Sequence, residues 1–240
     1  MAREFIGWLN LPPGLHWLEV GCGTGALTGT ILDLAEPASI LACDPSEAFV
    51  ELARGKITDS RATFAVAAAD NLPKPAQPLD VCVSGLALNF IPEPKAALEG
   101  MARRLAPDAV IAAYVWDYAD GMEFLRIFWD VAADLDPAAE ALHEGRRFPL
   151  CAPWPLRALF LNLGLKEVTV QPLTIPTRFR DFSDFWEPLL GASGPAPAYV
   201  QTLDTESRRH LKENLEKRFP IKGSESIELT ARAWAVRGLA

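Results

Sequence analysis

Basic side chains are scarce in this chain: 23 Lys and Arg stand against 31 Asp and Glu, a net charge of −8 over 240 residues. Nucleic-acid backbones are recognised by clustered cations, so that balance argues against nucleic acid as the main partner. The bases that do cluster, Arg208-Arg209 and Lys212 to Arg218, are interleaved with Glu213 and Glu216, the pattern of a solvated helix face. Cysteine is also sparse. Cys22, Cys43, Cys82 and Cys151 form no C-x-x-C pair and no compact metal spacing, so no metal site is expected and buried free thiols are the simplest reading. No apolar run approaches the length of a membrane-spanning helix. The N-terminus lacks the basic start, apolar run and small-residue cleavage site of a signal peptide, so a soluble cytoplasmic protein is the expectation. Internal repeats and low-complexity linkers are absent too.

What is present is ordinary globular material, half apolar and 22% charged, enough to bury a substantial core. The first two-thirds alternates strand-like and helix-like segments, the pattern of a parallel sheet wrapped by helices. Strands are predicted at His16 to Val20, Ser39 to Cys43, Ala62 to Ala67, Leu79 to Ser84 and Val110 to Trp116. Helices fall at Ala26 to Leu34, from a Ser46 cap through about Arg54, and at Pro94 to Leu105 with Pro107-Asp108 closing it. Beyond Trp116 the rhythm changes. Gly121 to Leu135 and Pro155 to Leu163 read as helices, Lys166 to Val170 as a strand, Thr205 to Phe219 as a helix and Ile227 to Val236 as a strand. Between them lies a stretch rich in aromatics and proline, with Phe179, Phe182, Phe185 and Trp186 close together, then a loop or hinge over Gly191 to Pro197.

The densest information lies in Trp17-Leu18-Glu19-Val20-Gly21-Cys22-Gly23-Thr24-Gly25, an apolar strand running into a glycine turn and then a helix. Glycines at alternate positions leave a turn free of Cβ atoms that a ligand can approach closely, and the helix N-terminus beyond it favours polar or anionic groups. The spacing G-x-G-x-G differs from the dinucleotide fingerprint, whose third glycine would fall at Ala26. With Glu19 two residues before the first glycine, it resembles motif I of class I S-adenosylmethionine-dependent methyltransferases. Asp44 closes the second strand, nineteen residues after Gly25, where a carboxylate can accept hydrogen bonds from a ribose diol or help to cap the helix after Pro45. Ala69-Asp70-Asn71-Leu72-Pro73 follows the third strand and resembles the segment whose acid meets the adenine amino group; read alone it is a turn. Asp80 to Phe90 resembles motif IV and its trailing loop, with Asp80 itself structural.

The likeness covers about residues 14 to 116 specifically. Ser84-Gly85 through Asn89-Phe90, then Pro92-Glu93-Pro94 and Arg103-Arg104-Leu105-Ala106-Pro107, look most like the small-molecule type 11 group that includes relatives of the quinone-biosynthesis methyltransferases. The resemblance implies a Rossmann-like α/β fold: a seven-stranded, mostly parallel sheet with helices on both faces, the last strand antiparallel beside the sixth, and a small helical and aromatic cap. It implies one domain over 1–240, with a core at 14–116, 154–175 and 225–238 and a cap at about 117–153 and 176–222. It also implies S-adenosylmethionine as cofactor and S-adenosylhomocysteine as product. Gly21, Cys22, Gly23 and Gly25 would then shape the cofactor turn, with Glu19 at the amino-acid end, Asp44 and Pro45 at the ribose, Asp70 and Asn71 at the adenine, and the backbone of Ser84, Gly85 and Leu86 along the methionine portion.

Candidates for acceptor chemistry are few. Asn89 sits where relatives often carry a polar residue near the transferred methyl, and it suits a loop cap equally well. His143, in Leu142-His143-Glu144-Gly145-Arg146, is a base candidate by its neutral-range titration or simply a histidine at a helix end. Tyr118, after the fifth strand, can face a ligand or pack against aromatics. His16 and His210 read as structural. The aromatic cluster is a core before it is a lid over substrate. The segment before the first strand is short for the family, with Arg3 to Leu9 as the remnant of a closing helix and Pro12-Pro13-Gly14 as its connection. The leading expectation is methyl transfer to a small apolar or aromatic acceptor. A cofactor-binding module without turnover and an NAD-dependent oxidoreductase are the alternatives, and fold alone does not separate them.

Overall fold

The computed structural model describes residues 1–75, 77–191, 194–219 and 226–240. The elements run α1 Ala2–Leu9, β1 His16–Val20, α2 Ala26–Leu34, β2 Ser39–Asp44, α3 Glu47–Lys56, β3 Ala62–Val66, β4 Leu79–Gly85, α4 Pro94–Ala102 and β5 Leu105–Trp116. They continue with α5 Glu123–Leu135, α6 Glu144–Arg147, α7 Pro153–Leu161, β6 Lys166–Phe179, α8 Phe182–Leu189, α9 Pro195–Thr202, α10 Thr205–Arg218 and β7 Ile227–Leu239. The strands form one sheet in the order β3-β2-β1-β4-β5-β7-β6. The ladders β1 with β2, β1 with β4, β2 with β3 and β4 with β5 are all parallel. The last strand, β7, lies antiparallel between β5 and β6. This is the expected seven-stranded, mostly parallel, helix-flanked sheet.

The chain divides into two compact units, one of residues 1–115, 152–173 and 233–240, the other of 116–151 and 174–232. In the first, Trp17, Leu18, Ile31, Ile40, Val81, Leu98 and Ile111 are all but fully buried between sheet and helices. The order of strands reverses between β1 and β4, the place where open α/β sheets leave a ligand crevice beyond the strand ends. Helix α1 buries Phe5, Ile6 and Leu9, and the Arg237 guanidinium both donates to the Leu9 carbonyl and lies 5.3 Å from the Trp8 ring.

The second unit is built on aromatics. Phe128, Trp129, Phe182, Phe185, Trp186, Tyr199 and Phe219 pack with Leu211, Leu215 and Ile227 in one cluster. Phe185 and Phe219 approach to 4.4 Å between centroids, and Phe182 and Trp186 stack 13° from parallel. Within it the buried Asp117 carboxylate accepts from the Arg232 guanidinium at 2.6–2.7 Å, and the buried Glu144 carboxylate accepts from the Trp129 indole at 2.6 Å. Arg209 pairs with Glu213 one turn along α10, as a solvated helix face would.

Several boundaries differ from expectation, each for a local reason. Helix α4 stops at Ala102, and Leu105 is already paired with Leu79 at the start of β5. Pro107-Asp108 therefore lies in a bulge of β5, where Asp108 takes φ 60° and Val110 re-enters the ladder opposite Val81, and does not close a helix. Strand β6 runs to Phe179, nine residues past Val170; its buried Val168 and Leu173 stand five apart, so no clean period-two pattern in the sequence marks its extent. Thr174 to Phe179 falls in the second unit. The expected 191–197 loop is only partly so, since Pro195 opens α9 at a position where a missing N–H costs nothing. Ala192 and Ser193 of that loop, and the expected limits at 222 and 225, lie outside the described residues.

Candidate functional site

The glycine turn hangs from the end of β2. The Gly21 and Cys22 amides both donate to the Cys43 carbonyl, at 2.8 and 3.0 Å, and Gly25 donates to the Cys22 carbonyl at 2.9 Å. Gly21 takes φ 78°, and a Cβ there would lie 2.3 Å from that of Ala87, so no other residue fits. Gly25, at φ 86°, is the N-cap of α2 and offers no side chain to cap its first amides. Uncapped amides at a helix N-terminus, with the helix dipole behind them, favour polar or anionic groups.

Asp44 fastens this turn. One carboxylate oxygen accepts from the Gly23 amide and the other from the Ser46 amide, both at 2.9 Å. The carboxylate thus both ties the start of α3 and retains lone pairs for a second donor. Beside it, Glu19 is 1% exposed and accepts from the Thr28 hydroxyl at 2.5 Å. Burial raises its pKa to about 8, against the lowering effect of the Thr28 bond and with a further rise from nearby Asp44. The Cys22 and Cys43 thiols are likewise pushed up by burial, Cys43 to about 12, so neither is a thiolate.

A cavity of about 790 Å³ opens over the turn, wholly within the first unit and in the upper range for small-molecule sites. It gathers Glu19, Gly21, Cys22, Gly23, Asp44, Pro45, Asp70, Gly85 and Leu86 from the expected set. Gly25, Asn71 and Ser84 do not line it. Gly25 is buried behind the turn, Asn71 is exposed in a turn that closes on the Ala68 carbonyl, and Ser84 is buried with its hydroxyl unpaired among the described residues. Asn89 lies in the 3-10 turn Leu88–Phe90 off the cavity lining, its amide nitrogen buried and unpaired among the described residues.

His143 and Tyr118 belong to the second unit. The His143 Nδ1 accepts from the Gly145 amide at 2.9 Å and so caps α6, while burial lowers the pKa of the ring. It lines a separate cavity of about 500 Å³ with Trp129, Asp130, Glu140 and Arg146. The Tyr118 ring packs 5.7 Å from Phe148, and burial pushes its hydroxyl up to about 12. Sequence reasoning missed Phe49, Phe90, Glu93 and Tyr114, all of which line the first cavity. Tyr114 had a signal: it stands at the carboxyl end of β5, opposite Gly85.

Strand order, glycine turn and acidic strand ends are set on a sheet of the fold seen in solved methyltransferases. Residues 18–108 match the family described as methyltransferase domain, which covers the turn, Asp44, Asp70 and β4. At 26% identity over 163 residues the chain is similar to trans-aconitate 2-methyltransferase of Variovorax paradoxus, covering 68% of this chain and 58% of that protein. At 32% identity over 112 residues it is similar to demethylmenaquinone methyltransferase of Symbiobacterium thermophilum, covering 44% of each. The match thus spans 58% and 44% of the length of these relatives. Phosphoethanolamine N-methyltransferase 2 of Haemonchus contortus, solved in complex with S-adenosyl-L-methionine, shares the fold: TM-score 0.60 at 13% identity over 99% of this chain and 51% of that one. Among the described residues there is no helix long and apolar enough to cross a membrane, and no group of His, Cys, Asp and Glu that could hold a metal.

Proposed function

We propose that the protein transfers a methyl group from S-adenosylmethionine to a small apolar or aromatic molecule, with the first cavity holding the cofactor. The convergence of the turn, Asp44, Asp70 and Gly85-Leu86 on one cavity carries this reading. S-adenosylmethionine is a net monocation, with a sulfonium, an ammonium and one carboxylate, and the cavity's charged lining is acidic, so the two are complementary. Gly21, Cys22 and Gly23 present backbone to the ligand, with Gly25 setting the turn from behind and the free amides of α2 at a carboxylate. Glu19 faces the amino-acid end, Asp44 and Pro45 the ribose, Asp70 the adenine, and the Gly85-Leu86 backbone the methionine chain.

The cofactor, when bound, supplies a methyl on a positively charged sulfur. In the in-line displacement, the acceptor heteroatom or carbon forms the new bond to methyl as the S–CH3 bond breaks, and the acceptor then sheds its proton. Positioning and exclusion of water are the protein's part in such a step. Asn89, Tyr118 and His143 are the side chains to test for acceptor contact. Residues 1–240 act as a single methyltransferase domain in this reading. The excess of acidic residues speaks against nucleic acid as acceptor. Four buried, unpaired cysteines fit a reducing compartment, and we place the protein in the cytoplasm.

Titration calorimetry with S-adenosylmethionine, with NADH as control, tests the cofactor assignment. Micromolar binding of the first alone is expected; no binding would overturn it. Binding without transfer to any acceptor in a panel of phenols and quinone precursors would favour a module that works through a partner.

A further inference from the structure

The first cavity is uniform in one respect. Its titratable lining, among the described residues, is Asp44, Asp70 and Glu93 with the buried Glu19, and no Lys, Arg or His. An acceptor that carried a carboxylate would meet like charges and find no cationic side chain there, an arrangement that costs affinity. Past the glycine turn the wall is apolar, formed by Leu86, Ala87, Phe90 and Ile91, and the Tyr114 hydroxyl is its polar feature. Tyr114 is 4% exposed, and its hydroxyl is not among the fully enclosed unpaired polar atoms. It opens to the cavity, where a ligand atom can pair with it.

Two neighbours fix where that hydroxyl sits. The Phe5 ring of α1, itself fully buried, lies 4.6 Å from the Tyr114 ring and 45° from its plane. Gly85 gives it room, since a Cβ there would come within 2.8 Å of the phenol oxygen. The oxygen therefore lies against the Gly85-Leu86 backbone expected beside the methionine chain of the cofactor. Resting on the reading of this cavity as the transfer site, we infer that Tyr114 is the specificity residue that orients the acceptor. The acceptor it selects is an uncharged, largely apolar molecule with a hydrogen-bonding heteroatom next to the methylated atom. Burial raises the phenol well above its ordinary range, so it stays a neutral hydroxyl that donates or accepts throughout the working pH range and is no base. A site built around such a hydroxyl rejects analogues that cannot pair with it.

The test uses the full chain saturated with S-adenosylhomocysteine and two probes on the same ring system, 2-naphthol and 2-naphthoate, titrated at neutral pH. The neutral probe should bind at least about tenfold more tightly than the anion, a difference of about 1.4 kcal/mol. Tyr114→Phe should weaken 2-naphthol by about tenfold while S-adenosylmethionine affinity and melting temperature stay within error. Glu93→Gln should narrow the gap between the probes. Equal or tighter binding of 2-naphthoate, binding of neither probe, or an unchanged 2-naphthol affinity in Tyr114→Phe overturns the inference. So does a loss in that variant confined to S-adenosylmethionine. Failure of the unmodified protein to bind S-adenosylmethionine would instead sink the cofactor assignment beneath it.

Discussion

The glycine turn of the first unit and the aromatic cluster of the second hold their parts in place by opposite means. In the turn, backbone amides and one carboxylate do the fixing: Cys43 accepts twice, Asp44 accepts twice, and Gly21 leaves no space for a side chain. In the cluster, rings pack on rings at 4.4–6.4 Å with little backbone constraint. A site made of backbone tolerates almost no change at its own positions but does not care which apolar residues surround it. A packed core is tolerant at any one position provided total volume is kept. One arrangement preserves chemistry and the other leaves room for specificity to drift.

The sharpest way to break that contrast is a paired experiment. Phe185→Ala should destabilise the protein by about 3–5 kcal/mol in chemical denaturation, because the vacated ring space cannot collapse, yet leave S-adenosylmethionine affinity of the folded fraction nearly unchanged. Gly21→Ala should do the reverse, weakening the cofactor by about a hundredfold or more in calorimetry, since the residue is forced to a positive φ against Ala87. If each variant instead harms both properties equally, the contrast is wrong. Next in size is Asp44→Ala, which should cost well over tenfold in cofactor affinity through the lost ribose bonds and the untied Gly23 amide. Asp44→Asn should fall between, because an amide oxygen can replace only one of the two acceptors; an unchanged affinity in either would contradict the assignment.

The smallest effect is a titration. Glu19, with its pKa raised to about 8, keeps a proton in the folded protein that the unfolded chain has already lost above the ordinary carboxyl range. The folded state then binds more protons than the unfolded one, so stability should fall as pH rises from about 4.5 to about 8 and level off beyond. Glu19→Gln should flatten that slope while keeping the Thr28 hydrogen bond. Cofactor binding at pH 7 should release most of one proton as Glu19 ionises against the ammonium, read by calorimetry in buffers of different ionisation enthalpy. A proton count of zero in the unmodified protein would detach Glu19 from the amino-acid end.

The same contrast governs what could be read from residues alone. The β1 turn, the Ser46 cap and the acids at the ends of β2 and β3 were legible because each depends on a few neighbouring residues with fixed spacing. The bulge of β5 was not, since Leu105 joins the ladder only through its pairing with Leu79, far away in sequence. Tyr118 drew attention by standing just after the fifth strand, whereas the tyrosine in the cavity is Tyr114, four residues earlier. Both follow from the same rule about strand ends, and only the register with Gly85 separates them. The extent of β6 and the start of α9 were hidden by aromatics and prolines that serve equally in loops, strands and helix first turns.

Those prolines have a further effect. Strand β6 ends the sheet and is fourteen residues long, which is ample template for a stray chain. Pro172 and Pro176 are both exposed and stand four apart, so their missing N–H groups fall on one side of the strand. Neither proline can donate to a further strand laid along this border, so it offers fewer backbone donors than its length implies.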